Sequence, residues 1–185
     1  MNNQLINTIS DKTFQGLDNL QVLNMNNNKL NKIINKTFIY LINLQNLTLA
    51  NNSIDFIDFI SFNEINNLVN LSLSNNNISE LTFLKQLKKL KIFDINNNSI
   101  ENISIDTFQN NIKLKELNLK QNKLTRIESN NFKGLYLLHE LNLMNNSIQF
   151  IHTNGFDNTN IVFKIVKRGF SHQPPCYVMC MAQWM

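Results

Sequence analysis

The chain has 185 residues, of which 43% are hydrophobic and 16% charged, and its formal net charge is +4. This length and apolar content suffice for one well-buried domain, and the modest charge disfavours a nucleic-acid binder. Four scattered glycines leave no glycine-rich phosphate loop, and no apolar run reaches the roughly eighteen residues that a membrane span needs.

An apolar pattern repeats along the chain and organises its 37 asparagines. The pattern restarts in steps of 24, 24, 22, 24 and 24 residues, at Leu20, Leu44, Leu68, Leu90, Leu114 and Leu138. A half unit containing Ile6, Ile9 and Phe14 precedes them. The sequence therefore predicts a repeat domain over residues 1–160, with a different segment at 161–185.

The first part of each unit carries two apolar residues separated by one outward position. The pairs are Leu23 and Met25, Leu47 and Leu49, Leu71 and Leu73, Phe93 and Ile95, Leu117 and Leu119, and Leu141 and Leu143. A period of two predicts a short strand in each unit with one face buried.

An asparagine stands three residues after each pair. The six are Asn28, Asn52, Asn76, Asn98, Asn122 and Asn146. The chain turns over the core here, so its backbone groups lose water and need partners. One amide side chain both donates and accepts, which predicts a buried asparagine ladder along the stacked turns.

The second part of each unit carries aliphatic residues and a phenylalanine at spacings that suit irregular or short helical turns. The phenylalanines expected to stack are Phe14, Phe38, Phe62, Phe108, Phe132 and Phe156. The unit that begins at Leu68 is two residues short, and there we expect Leu84 at the phenylalanine position.

The pattern LxxLxLxxNxLxxIxxxxFxxL resembles the signature of leucine-rich repeat proteins. The unit length and the late phenylalanine are similar to the typical 24-residue class of Toll-like receptor and insect cell-surface receptor ectodomains. The resemblance implies an α/β solenoid, a right-handed horseshoe with a concave parallel β-sheet and an irregular or short helical convex side. It also implies a non-catalytic scaffold that binds a protein ligand on the concave face.

Candidate partner-binding residues occupy the outward strand positions near the C-terminal end of the sheet. They are Ile92, Asp94, Asn118, Lys120, Glu140, Asn142 and Met144. Their mixed chemistry suits a protein ligand. The plainer interpretation is a solvated polar face, because these positions hold none of the tyrosine, tryptophan or arginine that dominates binding hot spots.

Eight Asn-x-Ser/Thr sequons bear on location. They are Asn35, Asn46, Asn51, Asn70, Asn77, Asn97, Asn102 and Asn145. Glycosylation would place the chain outside the cell or on its surface. The opening residues MNNQLINTIS, however, lack the basic and apolar regions of a signal peptide, which favours a cytoplasmic chain as the alternative.

No feature of the sequence predicts an enzyme, a cofactor or a metal site. His139, His152 and His172 stand far apart and share no spacing typical of a catalytic triad. The lysines of KQLKKLK could attract an acidic partner or a membrane surface, although leucines of the core pattern alternate with them, so a solvated flank is the preferred interpretation.

The final segment, 161–185, abandons the pattern. Val162 and Ile165 could begin a seventh strand, while His172, Cys176 and Cys180 are too widely spaced to predict a metal site. The chain opens in mid-repeat, and stacks without polar caps expose apolar ends, so we expect a fragment of a longer protein that self-associates through those ends. A cytosolic adaptor or effector, or a degenerate non-functional gene fragment, is the rival interpretation.

Overall fold

The computed structural model describes residues 5–157 and 159. The expectations for Val162, Ile165, His172, Cys176 and Cys180 lie outside these residues. In the described part of the chain, no helix is long and apolar enough to cross a membrane.

Six short strands, one from each unit, form a parallel sheet in the order β1-β3-β5-β6-β7-β9. They are β1 Val22–Asn24, β3 Asn46–Thr48, β5 Asn70–Ser72, β6 Ile92–Asp94, β7 Glu116–Asn118 and β9 Glu140–Asn142. The register pairs equivalent residues, so Leu71 opposes Phe93 and Leu117 opposes Leu141. The predicted leucine-rich repeat solenoid is confirmed.

Two smaller parallel sheets cover the opposite side of the solenoid. One pairs β2 Lys32–Ile33 with β4 Phe56–Ile57, and the other pairs β8 Arg126–Ile127 with β10 Phe150–Ile151. Each strand turns one aliphatic residue toward the core, and Ile33 and Ile127 are fully buried. The spacing of this region had indicated only irregular or short helical turns.

The short unit interrupts these outer sheets with the 3₁₀ helix η1, Thr82–Gln86. It is the one helix among the described residues. Phe83 and Leu84 of this helix are buried.

The phenylalanines stack in two runs, and in the short unit the stacked ring comes from Phe83, next to the predicted Leu84. Phe14, Phe38 and Phe62 stack in sequence at 6.2 and 5.8 Å between ring centroids. Phe83, not Leu84, continues this run, 5.3 Å from Phe62. Leu84 keeps the equivalent backbone position, since its carbonyl accepts the Leu87 N–H at 3.0 Å as the Phe62 carbonyl accepts that of Ile65 at 3.2 Å, and its side chain is fully buried beside the ring.

The aromatic run ends within the main sheet and restarts one unit later. Phe83 meets Phe93 edge to face at 6.3 Å. A second run then joins Phe108, Phe132 and Phe156 at 6.1 and 5.5 Å. Among the described residues no ring pair links the two runs, so the short unit divides the predicted spine.

The six predicted ladder asparagines lie at the turns after the main strands. Asn122 is 7% exposed; its Nδ2 donates to the Ile95 and Leu119 carbonyls at 3.0 and 3.1 Å, and its Oδ1 accepts from the Ile100 N–H at 3.0 Å. Equivalent bonds recur in the other units, with Asn28, Asn52 and Asn146 only half-buried. Each of these side chains thus ties its own turn to a neighbouring unit.

A second, exposed row of asparagines runs beside this ladder. Side-chain amides join Asn51 to Asn27 at 2.9 Å, Asn75 to Asn51 at 2.7 Å, and Asn97 to Asn75 at 2.8 Å. All four have φ between 51° and 59°, the left-handed region that asparagine tolerates better than most residues. This outer row explains many of the asparagine pairs in the sequence.

Candidate functional site

The outward side of the six-stranded sheet is the concave face of the solenoid. A shallow depression of about 310 Å³ lies on it between β6, β7 and β9. Its outward lining residues are Ile92, Asp94, Glu116, Asn118, Glu140 and Asn142. Five of these are among the predicted partner-binding residues, whereas Lys120 and Met144 lie just beyond the strand ends and do not line it.

Asp94, Asn118 and Asn142 have a local structural role at the strand ends. Their Oδ1 atoms accept the backbone N–H of the residue two positions on, which is Asn96, Lys120 and Met144 respectively, at 3.1 to 3.2 Å. Such Asx turns satisfy backbone groups where a strand stops. The recurrence of these residues therefore follows from turn chemistry as well as from any ligand.

Three side chains of the depression are open to a ligand. Ile92 is 39% exposed and stands beside Glu116, which in turn opposes Glu140 in the register. Like charges directly opposite one another on neighbouring strands are unfavourable. Neither glutamate has a hydrogen bond or ion pair within the described residues, so a cationic or hydrogen-bonding partner group would be stabilised there.

Glu116 was missed as a binding residue by the sequence interpretation. The signal was present, since ELNL occurs at equivalent positions of two consecutive units, at 116–119 and 140–143. Parallel pairing in register places those two carboxylates side by side.

The N-terminal half of the concave face differs in chemistry. Asn70 donates to Asn46 at 2.5 Å, and Ser72 and Ser74 lie within 3.3 Å through their hydroxyls. These neutral polar groups satisfy one another. The charged side chains of the six strands are at β6, β7 and β9, while β1 contributes the exposed Val22.

The described residues contain no group of three histidine, cysteine, aspartate or glutamate side chains placed to hold a metal ion. His139 is exposed at the edge of the sheet, and His152 accepts the Asn154 N–H on its Nδ1 at 3.0 Å.

A parallel solenoid with an asparagine at every turn and an open concave sheet defines a class of repeat protein. The chain belongs to the leucine-rich repeat family, whose model matches residues 1–54, 88–148 and 112–165. This family typically supplies non-enzymatic interaction scaffolds.

Solved structures give the same assignment. A TLR13–ssRNA13 complex is similar over 84% of this chain, with 30% identity and a TM-score of 0.79. Toll in complex with Spatzle from Drosophila follows, with 25% identity over 79% of this chain and a TM-score of 0.72. The leucine-rich repeat protein LIC12759 of Leptospira interrogans has 28% identity over 81% of the chain and a TM-score of 0.73.

These matches cover only part of the larger proteins. The chain spans 22%, 21% and 38% of the TLR13, Toll and Leptospira chains respectively. No curated protein sequence matches the chain.

Proposed function

We propose that this chain is a protein-recognition segment of a receptor-like or adhesion protein and that it binds a protein ligand at the C-terminal half of its concave face. The observation that carries the proposal is the depression at β6, β7 and β9, where Ile92 is exposed beside two opposed glutamates. A rigid sheet presents these groups without rearrangement, which lowers the entropic cost of binding.

The similar solved structures support a role in binding a partner molecule. Toll is seen in complex with Spatzle, and a structure of an LRIM1/APL1C complex shares the fold with a TM-score of 0.66. The TLR13 structure holds single-stranded RNA. We favour a protein ligand because the carboxylates of Asp94, Glu116 and Glu140 would repel a phosphate backbone from the depression.

We also infer an extracellular or cell-surface location. Both Toll and the Toll-like receptor are similar to this chain. The eight sequons agree with that location.

The test is a triple variant of the predicted patch, Asp94→Asn, Lys120→Ala and Glu140→Ala. Asn at 94 keeps the oxygen that accepts the Asn96 N–H, so the turn survives. Protein ligands would be selected on the wild-type chain from a display library of secreted domains. We expect the variant to bind them about tenfold more weakly or worse, measured by surface plasmon resonance, because a few residues carry most of an interface's energy.

The matched control changes the same charges elsewhere: Lys29→Ala, Asp55→Ala and Glu64→Ala. All three residues are exposed and lie outside the main strands. This control should keep wild-type affinity. Undiminished binding of every selected ligand to the patch variant, with the control equally active, would show that ligands dock elsewhere.

A further inference from the structure

A row of lysines lies on one rim of the solenoid, where the chain enters β6 and β7. We call this the cationic rim; it consists of Lys88, Lys89, Lys91, Lys113 and Lys115. All five side chains are exposed. Lys88, Lys89 and Lys91 lie together in the segment KQLKKLK, whereas Lys113 and Lys115 belong to the next unit.

Backbone pairing stacks the two groups of lysines. The Lys91 carbonyl accepts the N–H groups of Lys115 and Glu116, at 2.8 and 3.1 Å. The Lys115 carbonyl accepts those of His139 and Glu140 in the same way, at 3.0 and 3.1 Å. Lys91, Lys115 and His139 therefore follow one another at the interstrand spacing of about 4.8 Å.

None of the five lysines forms an ion pair with a described residue. The one ion pair among the described residues joins Arg126 to Glu128, away from the rim. Lys89 donates to the neutral Asn67 Oδ1 at 2.6 Å, and the other four lysines have no hydrogen bond from the ammonium group. Stacked like charges repel, so an anionic partner would be attracted to this rim.

Apolar side chains continue the same rim. Ile112 follows Lys88 by one unit and Tyr136 follows Ile112, while Leu137 follows Lys113. Ile112, Tyr136 and Leu137 are 49%, 51% and 50% exposed. The partner surface that fits is anionic beside the lysines and apolar one unit further on.

We propose that the cationic rim docks an acidic protein segment that carries aliphatic side chains. Glu116 and Glu140 lie next in sequence to Lys115 and His139, and they line the neighbouring concave face. The uniformly negative phosphates of a nucleic acid or of an anionic membrane would meet these carboxylates. A polypeptide can place its acidic groups over the lysines alone. The lysines do not line the depression described above, so the rim is a second contact surface beside it.

The experiment compares binding of labelled probes to the chain by fluorescence anisotropy at low ionic strength. The first probe is a short peptide that repeats aspartate, leucine and serine, and the second replaces every leucine with serine. A single-stranded RNA and phosphatidylserine-containing vesicles, the latter followed by co-sedimentation, complete the set. The variant K91E/K115E reverses two rim charges, and K12E/K29E makes the same change at exposed lysines of the N-terminal units.

We expect the leucine-containing peptide to bind best and to lose about tenfold in affinity in K91E/K115E but not in K12E/K29E. I112S/L137S should weaken this peptide toward the all-serine level. The proposal is overturned if RNA or vesicles bind more tightly than the peptide, if both charge variants lose affinity equally, or if no probe distinguishes wild type from K91E/K115E. Circular dichroism of each variant confirms that it is folded.

Discussion

Asparagine suits the turn after each main strand because one short side chain donates and accepts at once. At Asn122 both functions are used inside the core. The Ile95 carbonyl accepts from Asn98 and Asn122, and the Leu119 carbonyl from Asn122 and Asn146. Each of these carbonyls thus has two asparagine donors from adjacent units. The buried N–H of Ile100, by contrast, has Asn122 Oδ1 as its acceptor.

Replacing Asn122 with alanine should lower the free energy of unfolding by about 1–3 kcal/mol. The dominant cost is the Ile100 N–H, which would be left buried without an acceptor. Urea denaturation followed by circular dichroism measures the loss.

The control for this prediction is Asn75→Gly in the outer row. Asn75 is exposed and has φ 56°, which glycine adopts without strain, and water can replace its two side-chain bonds. We expect a loss below about 1 kcal/mol. Equal losses in the two variants would contradict a special role for the buried row.

At the scale of elements, the strands and their register could be predicted because a period of two admits one buried face. The outer turns could not. Asn111 stands where other units carry leucine or isoleucine, yet it is fully buried and donates to the Leu84 and Leu87 carbonyls at 3.0 and 2.9 Å. Those carbonyls belong to η1 and its end, so the substitution depends on a helix in the preceding unit that local spacing does not reveal.

The same unit explains why the ring was assigned to the wrong residue. Phe83 and Leu84 are adjacent and both fully buried. The sequence alone does not show which of the two side chains contacts Phe62, because that depends on how the shortened turn is folded. The outer asparagine row could not be predicted either, because it depends on the left-handed φ of one turn residue in each unit, which the residue spacing does not indicate.

Two reciprocal substitutions test the corrected assignment. Phe83→Leu removes the ring contacts to Phe62 and Phe93, each worth about 0.5–1.5 kcal/mol, and should lower the free energy of unfolding by about 1–3 kcal/mol in all. Leu84→Phe inserts a ring at a site with no exposed surface and should cost about 1–3 kcal/mol through overpacking.

Denaturation midpoints of these variants distinguish the two assignments. If the stacked ring belonged at residue 84, Leu84→Phe would extend the aromatic run and raise stability. A gain in stability for Leu84→Phe would show that the stacked ring belongs at residue 84.

At the scale of the whole molecule, each unit buries its core only against its neighbours, so stability is a sum of contacts between adjacent units. The pattern of one unit therefore predicts all six strands, whereas it does not predict which outward residues form the proposed binding face. Outward strand positions have no obligatory chemistry. The sequence indicated the C-terminal half of the face from mixed charge alone, and the opposition of Glu116 and Glu140 required the register.

The fold also divides the eight sequons by what their side chains do. Asn35, Asn77, Asn102 and Asn145 are exposed, and no hydrogen bond within the described residues uses their side-chain amides. Asn51 and Asn97 donate along the outer row. Asn46 and Asn70 are half-buried on the concave face and bond to each other.

We therefore expect glycans on Asn35, Asn77, Asn102 and Asn145, the exposed sequons without side-chain hydrogen bonds, when the chain is secreted from eukaryotic cells behind an added signal peptide. A glycan on Asn46 or Asn70 would crowd the sheet at a half-buried position, so folded molecules that carry one should be depleted by quality control. Enzymatic deglycosylation in heavy-oxygen water, followed by peptide mass spectrometry, reports occupancy at each site. Ser147→Ala, which removes the Asn145 sequon at an exposed residue, serves as the reference for assigning peptides. Occupancy of Asn46 and Asn70 equal to that of Asn77 and Asn102 would mean that the concave face tolerates glycans and is not kept clear for a ligand.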